Sequence, residues 1–331
     1  MPDFGTTSLR LALAVLALCL ASCAGVRPAT QQVPVLGATT WTSFDGKAMP
    51  WREWRVPPDR REKAVIITVH GLSGAASDFW LLGERLPPQG CSVYGYELRG
   101  QGNDPDIARR GDIDSADQWL KDLLTFHKLV RARHPGVPIV WYGESLGSLI
   151  AMHAAVTSQA RPDAIVMATP IAGLRMDFSH FERLALRGTS YLLPGYRFTL
   201  GGLAGIDEKK MRVTSTTTHG NQMARTQHHV GEFTLRLLRE LDGLMNGNKA
   251  VANHITMPVL MLGSPHDLVS SPDQVQTLFA QLGGHDKVLH WYSRSYHLLL
   301  HDVQHDQVVA DLLKWLNRME RLKPRVPAGH G

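Results

Sequence analysis

The chain has 331 residues, 44% hydrophobic and 20% charged, the balance of a folded globular protein with a sizeable core. Its formal net charge of +5 is modest and comes without a dense Lys/Arg block, so nucleic-acid binding has little support. The chain has three cysteines, of which Cys19 would leave with an N-terminal signal and Cys23 would be lipid-modified, so disulfides are not expected.

The N-terminus carries Arg10, an apolar stretch from Leu11 to Leu20, and then Leu20-Ala21-Ser22-Cys23. This resembles a bacterial lipoprotein signal with its lipobox: residues 1–22 would be removed, and Cys23 would become the acylated first residue. The apolar stretch is too short for a permanent span, which needs about 20 residues. An ordinary secretory signal, in which Cys23 is incidental, is the alternative. Because Ala24 rather than Asp follows the cysteine, resemblance to lipoprotein sorting signals implies a bacterial cell envelope address, at the outer membrane. Residues 23–40 are short of large apolar side chains and read as a tether.

Trp41 to Val56, with Asp45-Gly46 in its middle, reads as an opening β-hairpin. Strand candidates follow at Ala64–Val69, Ser92–Leu98, Val137–Tyr142, Ala164–Ala168, Val259–Leu262 and Val288–Tyr292, alternating with helical segments. Continuous apolar runs of this kind suit a mainly parallel sheet covered on both faces, hence an α/β class. Trp119, Leu120, Leu123, Leu124 and Val130 recur at helical spacing, as do Val308, Val309, Leu312, Leu313 and Leu316. Residues 173–253 break the rhythm, with the turn-rich Leu192–Phe198, a charged Asp207–Lys210 and a strong helix around Phe233–Met245. They read as a helical cap inserted between the core segments 41–172 and 254–322. Within it, Leu192, Leu193, Tyr196, Phe198, Leu200 and Leu203 would line a lipid entrance or pack the cap down. The tail 323–331 is expected to be loose.

Ile139-Val140-Trp141-Tyr142-Gly143-Glu144-Ser145-Leu146-Gly147 is a buried strand ending in Gly-x-Ser-x-Gly. A strand that delivers a serine into a helix in this way is a nucleophile elbow, and its glycines let strand and helix crowd together. A serine hydroxyl needs a base to take its proton and an acid to orient the base. Asp267, just beyond the strand Val259–Leu262, is the acid; Asp273 lies further on and reads as a helix cap. His297 follows the last strand by a short loop and is the base. His301 and His305 continue at helical spacing, but such a row does not converge on one ion, so no metal site is expected and both read as surface residues or neighbours of the site. Val69-His70-Gly71-Leu72-Ser73-Gly74 follows the first long strand. The N–H of Leu72, with that of Leu146, would form the oxyanion hole, and His70 would support the loop.

These blocks, together with Glu97-Leu98-Arg99-Gly100-Gln101-Gly102, Gly263-Ser264-Pro265-His266-Asp267 and Tyr296-His297-Leu298-Leu299-Leu300-His301, resemble the monoacylglycerol lipase and lysophospholipase branch of the α/β-hydrolase superfamily over residues 41–320. The resemblance implies hydrolysis of a single acyl ester by Ser145, His297 and Asp267, with no cofactor. Two positions depart from the family pattern: Glu97 where Asp is usual, and Leu298 where an acid usually follows the histidine. The expected partners are an acyl-ester lipid and, through Cys23, a membrane. A thioesterase or a proline-releasing aminopeptidase would use the same three residues, and an inactive α/β-hydrolase scaffold at the envelope is the non-enzymatic alternative.

Overall fold

Strand formation follows the apolar runs. A computed structural model of the chain describes residues 33–157, 161–175, 180–204, 207–226 and 228–319. The lipobox with Cys23, the tether up to residue 32 and the tail 323–331 lie outside them. The described strands are β1 (Thr40–Thr42), β2 (Ala48–Trp54), β3 (Ala64–Val69), β4 (Cys91–Tyr96), β5 (Ile139–Glu144), β6 (Ala164–Ala168), β7 (Arg197–Phe198), β8 (Phe233–Thr234), β9 (Val259–Gly263) and β10 (Lys287–Trp291). Eight of them form one sheet in the order β1-β2-β4-β3-β5-β6-β9-β10, and β7 pairs only with β8. The sheet is parallel from β4 to β10, whereas β1 and β2 run antiparallel at its edge, with Trp41 opposite Met49. β3, β4, β5, β6 and β9 are buried along their whole length, which is why their sequences show no polar alternation.

Several strand ends differ from the sequence reading by one or two residues, and two of them bear on the site. β5 runs on past Tyr142 to Glu144, which pairs with Ala168, so the ladder itself carries the chain up to Ser145. β4 stops at Tyr96, short of Leu98, because the Leu98 N–H leaves the sheet to donate to His70 Nε2 at 2.9 Å.

The described helices are α1 (Trp80–Arg85), α2 (Ala116–Arg133), α3 (Leu146–Thr157), α4 (His180–Leu192), α5 (Leu200–Ala204), α6 (His219–Arg225), α7 (Leu235–Ala252), α8 (Pro272–Gln281) and α9 (His305–Met319). Their starts follow capping chemistry: Ser115 Oγ accepts the Asp117 N–H, and Ser271 forms a reciprocal box with Gln274. Ser271, not Asp273, is therefore the cap of α8. Asp273 sits in the first turn, where its charge favours the helix N-terminus.

The sheet separates two apolar layers. On one face Trp119, Phe126, Leu149, Leu237 and Val275 pack with the sheet; on the other are Leu81, Leu82, Leu312 and Trp315. The chain between β6 and β9 adds no strand to the main sheet. Its last helix, α7, packs on α2, α3 and α8, so this part of the inserted segment is also a layer of the core. No described helix is long and apolar enough to cross a membrane.

Candidate active site

Ser145 lies between the end of β5 and the start of α3 with φ +53°, in the left-handed region that a side chain tolerates at a cost of about 1–3 kcal/mol. The surrounding bonds hold it there. Its N–H donates to Ala168 O at 3.0 Å, and its carbonyl accepts from Ser148 N–H at 3.0 Å. The Ser148 hydroxyl then ties back to Gly143 O at 2.8 Å. Gly147 permits the turn, since a Cβ there would lie 1.9 Å from Val69 O.

The acid and the base meet across the ends of two parallel neighbours. Asp267 follows β9 and His297 follows β10, and His297 Nδ1 lies 2.9 and 3.0 Å from the two carboxylate oxygens of Asp267. An Nδ1–H aimed at the carboxylate leaves Nε2 as the proton acceptor. Burial opposes a charged imidazole, but the charge and hydrogen bond of Asp267, together with the charge of Glu144, outweigh it and raise the His297 pKa. The acid loop is braced in turn: Asp267 Oδ1 accepts the Val269 N–H at 2.8 Å, and Arg175 donates to Asp267 O at 2.6 Å.

The loop after β3 packs directly on the serine, and a Cβ on Gly71 would sit 3.1 Å from Ser145 Cβ. His70 supports this loop, bonding Gly71 O through Nδ1 at 2.9 Å while Nε2 accepts from Leu98 N–H. Leu72 lines the same cavity as Ser145, and Leu146 is the first residue of α3, whose N–H has no acceptor within the helix. Neither amide donates a hydrogen bond outside the regular helices and strands among the described residues. Glu97, the departure from the family's Asp, holds its own loop by accepting from the Asn103 side chain at 2.9 Å.

Ser145 and His297 open on a cavity of about 520 Å³. Much of its wall is apolar, including Ile171, Leu174, Leu200, Leu238 and Met245. Of the entrance residues named from the sequence, Leu200 lines it, whereas Leu192, Leu193 and Tyr196 are exposed and Phe198 packs against the core. The Leu203 side chain lies outside the description.

Sequence reasoning passed over several residues at this site. Glu144, the middle residue of the elbow motif, and Asp78 line the cavity beside Ser145. Glu144 was visible as a charge at the end of an apolar strand; Asp78 gave no signal. His301 also lines the cavity, as Asp78 does, while His305 Nδ1 bonds Asp302 O at 2.7 Å outside it. Asp302 accepts the N–H of Tyr296 at 2.7 Å and that of Ser215 at 2.9 Å, and the Leu298 N–H donates to Val213 O at 2.9 Å. The inserted segment therefore grips the chain on both sides of His297.

Residues 60–304 match the family described as serine aminopeptidase, S33. The chain belongs to this family, Hydrolase_4. It is 22% identical to a monoacylglycerol lipase of Mycolicibacterium smegmatis, over 78% of this chain and 90% of that protein. It is 21% identical to a carboxylesterase of Bacillus subtilis, over 78% of this chain and 94% of that protein. Among solved structures, a soluble variant of monoglyceride lipase from Saccharomyces cerevisiae superposes with a TM-score of 0.73 at 18% identity, covering 88% of this chain and 98% of that one. This Hydrolase_4 chain is thus an enzyme of the α/β-hydrolase fold, in the branch similar to monoacylglycerol lipases.

Proposed function

We propose that this hydrolase cleaves single-acyl lipid esters of the monoacylglycerol or lysophospholipid type, with Ser145 as nucleophile, His297 as base and Asp267 as the orienting acid. The observation that carries the reading is a strained serine and a carboxylate-braced histidine on the wall of one largely apolar cavity. His297 Nε2 takes the Ser145 proton as Oγ attacks the ester carbonyl. The N–H groups of Leu72 and Leu146 receive the oxyanion, a contribution of about 2.7–4 kcal/mol for each donor. Collapse expels the alcohol, which takes the proton from His297. Water then attacks the acyl-enzyme, giving its proton to His297, and the fatty acid leaves as Ser145 recovers that proton.

Residues 173–253 serve as the cap in this reading, and the names of the lipase and esterase relatives support an ester over an amide. The family description, serine aminopeptidase, makes amide cleavage the reading to test against. The cleaved form would be anchored by an acylated Cys23 in the bacterial envelope, at the outer membrane.

A panel of monoacylglycerols, lysophospholipids, acyl-thioesters and proline amides, run with fluorophosphonate labelling and a Ser145→Ala control, tests the chemistry. Labelling with preferred turnover of oxygen esters is expected. Failure of the wild type to label, or equal turnover by the alanine variant, overturns the serine mechanism. Cys23→Ala is expected to abolish incorporation of radioactive palmitate; label that persists puts the anchor elsewhere.

A further inference from the structure

The cavity wall carries both apolar and charged side chains. Its apolar wall comes mostly from the inserted segment and the acid loop, through residues such as Leu174, Leu238, Met245 and Val269. Against the core, beside Ser145, it is lined instead by Asp78, Glu144 and His301. Glu144 is only 5% exposed and lines the cavity, and no hydrogen bond holds its carboxyl among the described residues. A carboxyl that faces a cavity and has no protein partner is left for whatever enters that cavity to satisfy.

Burial pushes Glu144 up to about 7; the charge of His297 opposes the shift and that of Asp78 adds to it. No guanidinium is among the charges acting on it. Four arginines line the cavity: Arg175 bonds Asp267 O, Arg212 lies over the Tyr296 ring, Arg239 lies over the Tyr191 ring, and Arg187 stands on α4 in the inserted segment. Asp78 is fixed by accepting the Ala75 N–H at 2.8 Å, next to the loop that carries Leu72.

A lipid ester has one long apolar part and one polar part. The acyl chain takes the apolar wall, so the alcohol lies against Asp78 and Glu144 beside Ser145. We infer that Asp78 and Glu144 form a charge-selective subsite for the alcohol half of the substrate, admitting uncharged or cationic alcohols and refusing those that carry a phosphate. This inference rests on the ester-hydrolase reading and sharpens it, because it separates neutral monoacylglycerols from anionic lysophospholipids.

The test uses three esters with one acyl chain: 1-octanoylglycerol, octanoylcholine and 1-octanoylglycerol 3-phosphate, at pH 8. The phosphate ester is expected to show kcat/KM about tenfold or more below the glycerol ester, as a like charge placed near two carboxylates requires, with the choline ester at least equal to the glycerol ester. Glu144→Gln and Asp78→Asn are each expected to raise the ratio of phosphate-ester to glycerol-ester kcat/KM. Loss of structure alone lowers both and leaves the ratio in place. A wild-type ratio near one, or a ratio unmoved in both folded variants, overturns the inference and leaves the ester hydrolase standing. No turnover of any ester by a folded wild-type protein that also fails to label with fluorophosphonate overturns the hydrolase reading, and the subsite with it.

Discussion

Replacing Asp302 with alanine removes the acceptor that fastens the inserted segment to the histidine loop. The carboxylate is 3% exposed and accepts the N–H groups of Tyr296, Ser215 and Val303 as well as the Ser215 hydroxyl. Each buried donor stranded by its loss costs about 1–3 kcal/mol, and water entering the gap recovers part, so a net destabilisation of about 3–5 kcal/mol is expected. Asp302→Asn keeps one acceptor oxygen and is expected to lose about half as much. Urea titration reads the loss as a lower midpoint with an unchanged slope. Because Tyr296 adjoins His297, kcat on a monoacylglycerol is expected to fall more than KM rises, and the asparagine variant to restore part of it. A destabilisation below about 1 kcal/mol in the alanine variant with kcat intact would refute the claim that this carboxylate positions His297.

Asp267→Asn is expected to lower kcat/KM by about 10³–10⁴, as loss of the orienting carboxylate does in serine hydrolases. Asp267 also raises the His297 pKa and the base acts unprotonated, so the acid limb of the residual pH profile is expected to move to lower pH, as a pH series of kcat/KM reads. Gly147→Ala would place a Cβ 1.9 Å from Val69 O and is expected to destabilise by about 3 kcal/mol or more, seen as a lower thermal midpoint. Buried His127 has its pKa lowered to about 3, chiefly by burial, and its Nδ1 accepts from Trp141 Nε1. Its folded-state pKa lies below the ordinary histidine value of 6.5, so stability is complete above that value and falls as pH drops towards 3. His127→Gln is expected to flatten that decline by about one proton in a urea series across pH 6.5 to 4.

The parts of the site set by local chemistry were legible in the sequence. A continuous apolar run, two small residues and a serine specify the elbow, and the turn-forming loops after β9 and β10 bring Asp267 and His297 together as expected. The strand limits were less exact, because the end of β4 is decided by His70, 28 residues away. The clasp around His297 has no local signature at all: Ser215 and Asp302 are 87 residues apart, and neither sits in a pattern that distinguishes it from an ordinary loop residue. Glu144 illustrates a third kind of limit. Its charge was readable, but its isolation depends on which arginines the fold turns towards other partners.

The junction at β8 divides the inserted segment in two. Asp112 accepts from the Thr234 hydroxyl at 2.8 Å and from Arg236 Nε at 3.0 Å, the Thr234 N–H donates to Gly111 O, and α7 then packs along α3. Segment exchange with a relative therefore has a natural seam. A graft that stops before Phe233 replaces the entrance while the recipient keeps the α7 wall of the cavity. One that runs through Ala252 also replaces a helix of the core, and must bring residues that fit α3 and Asp112 to fold.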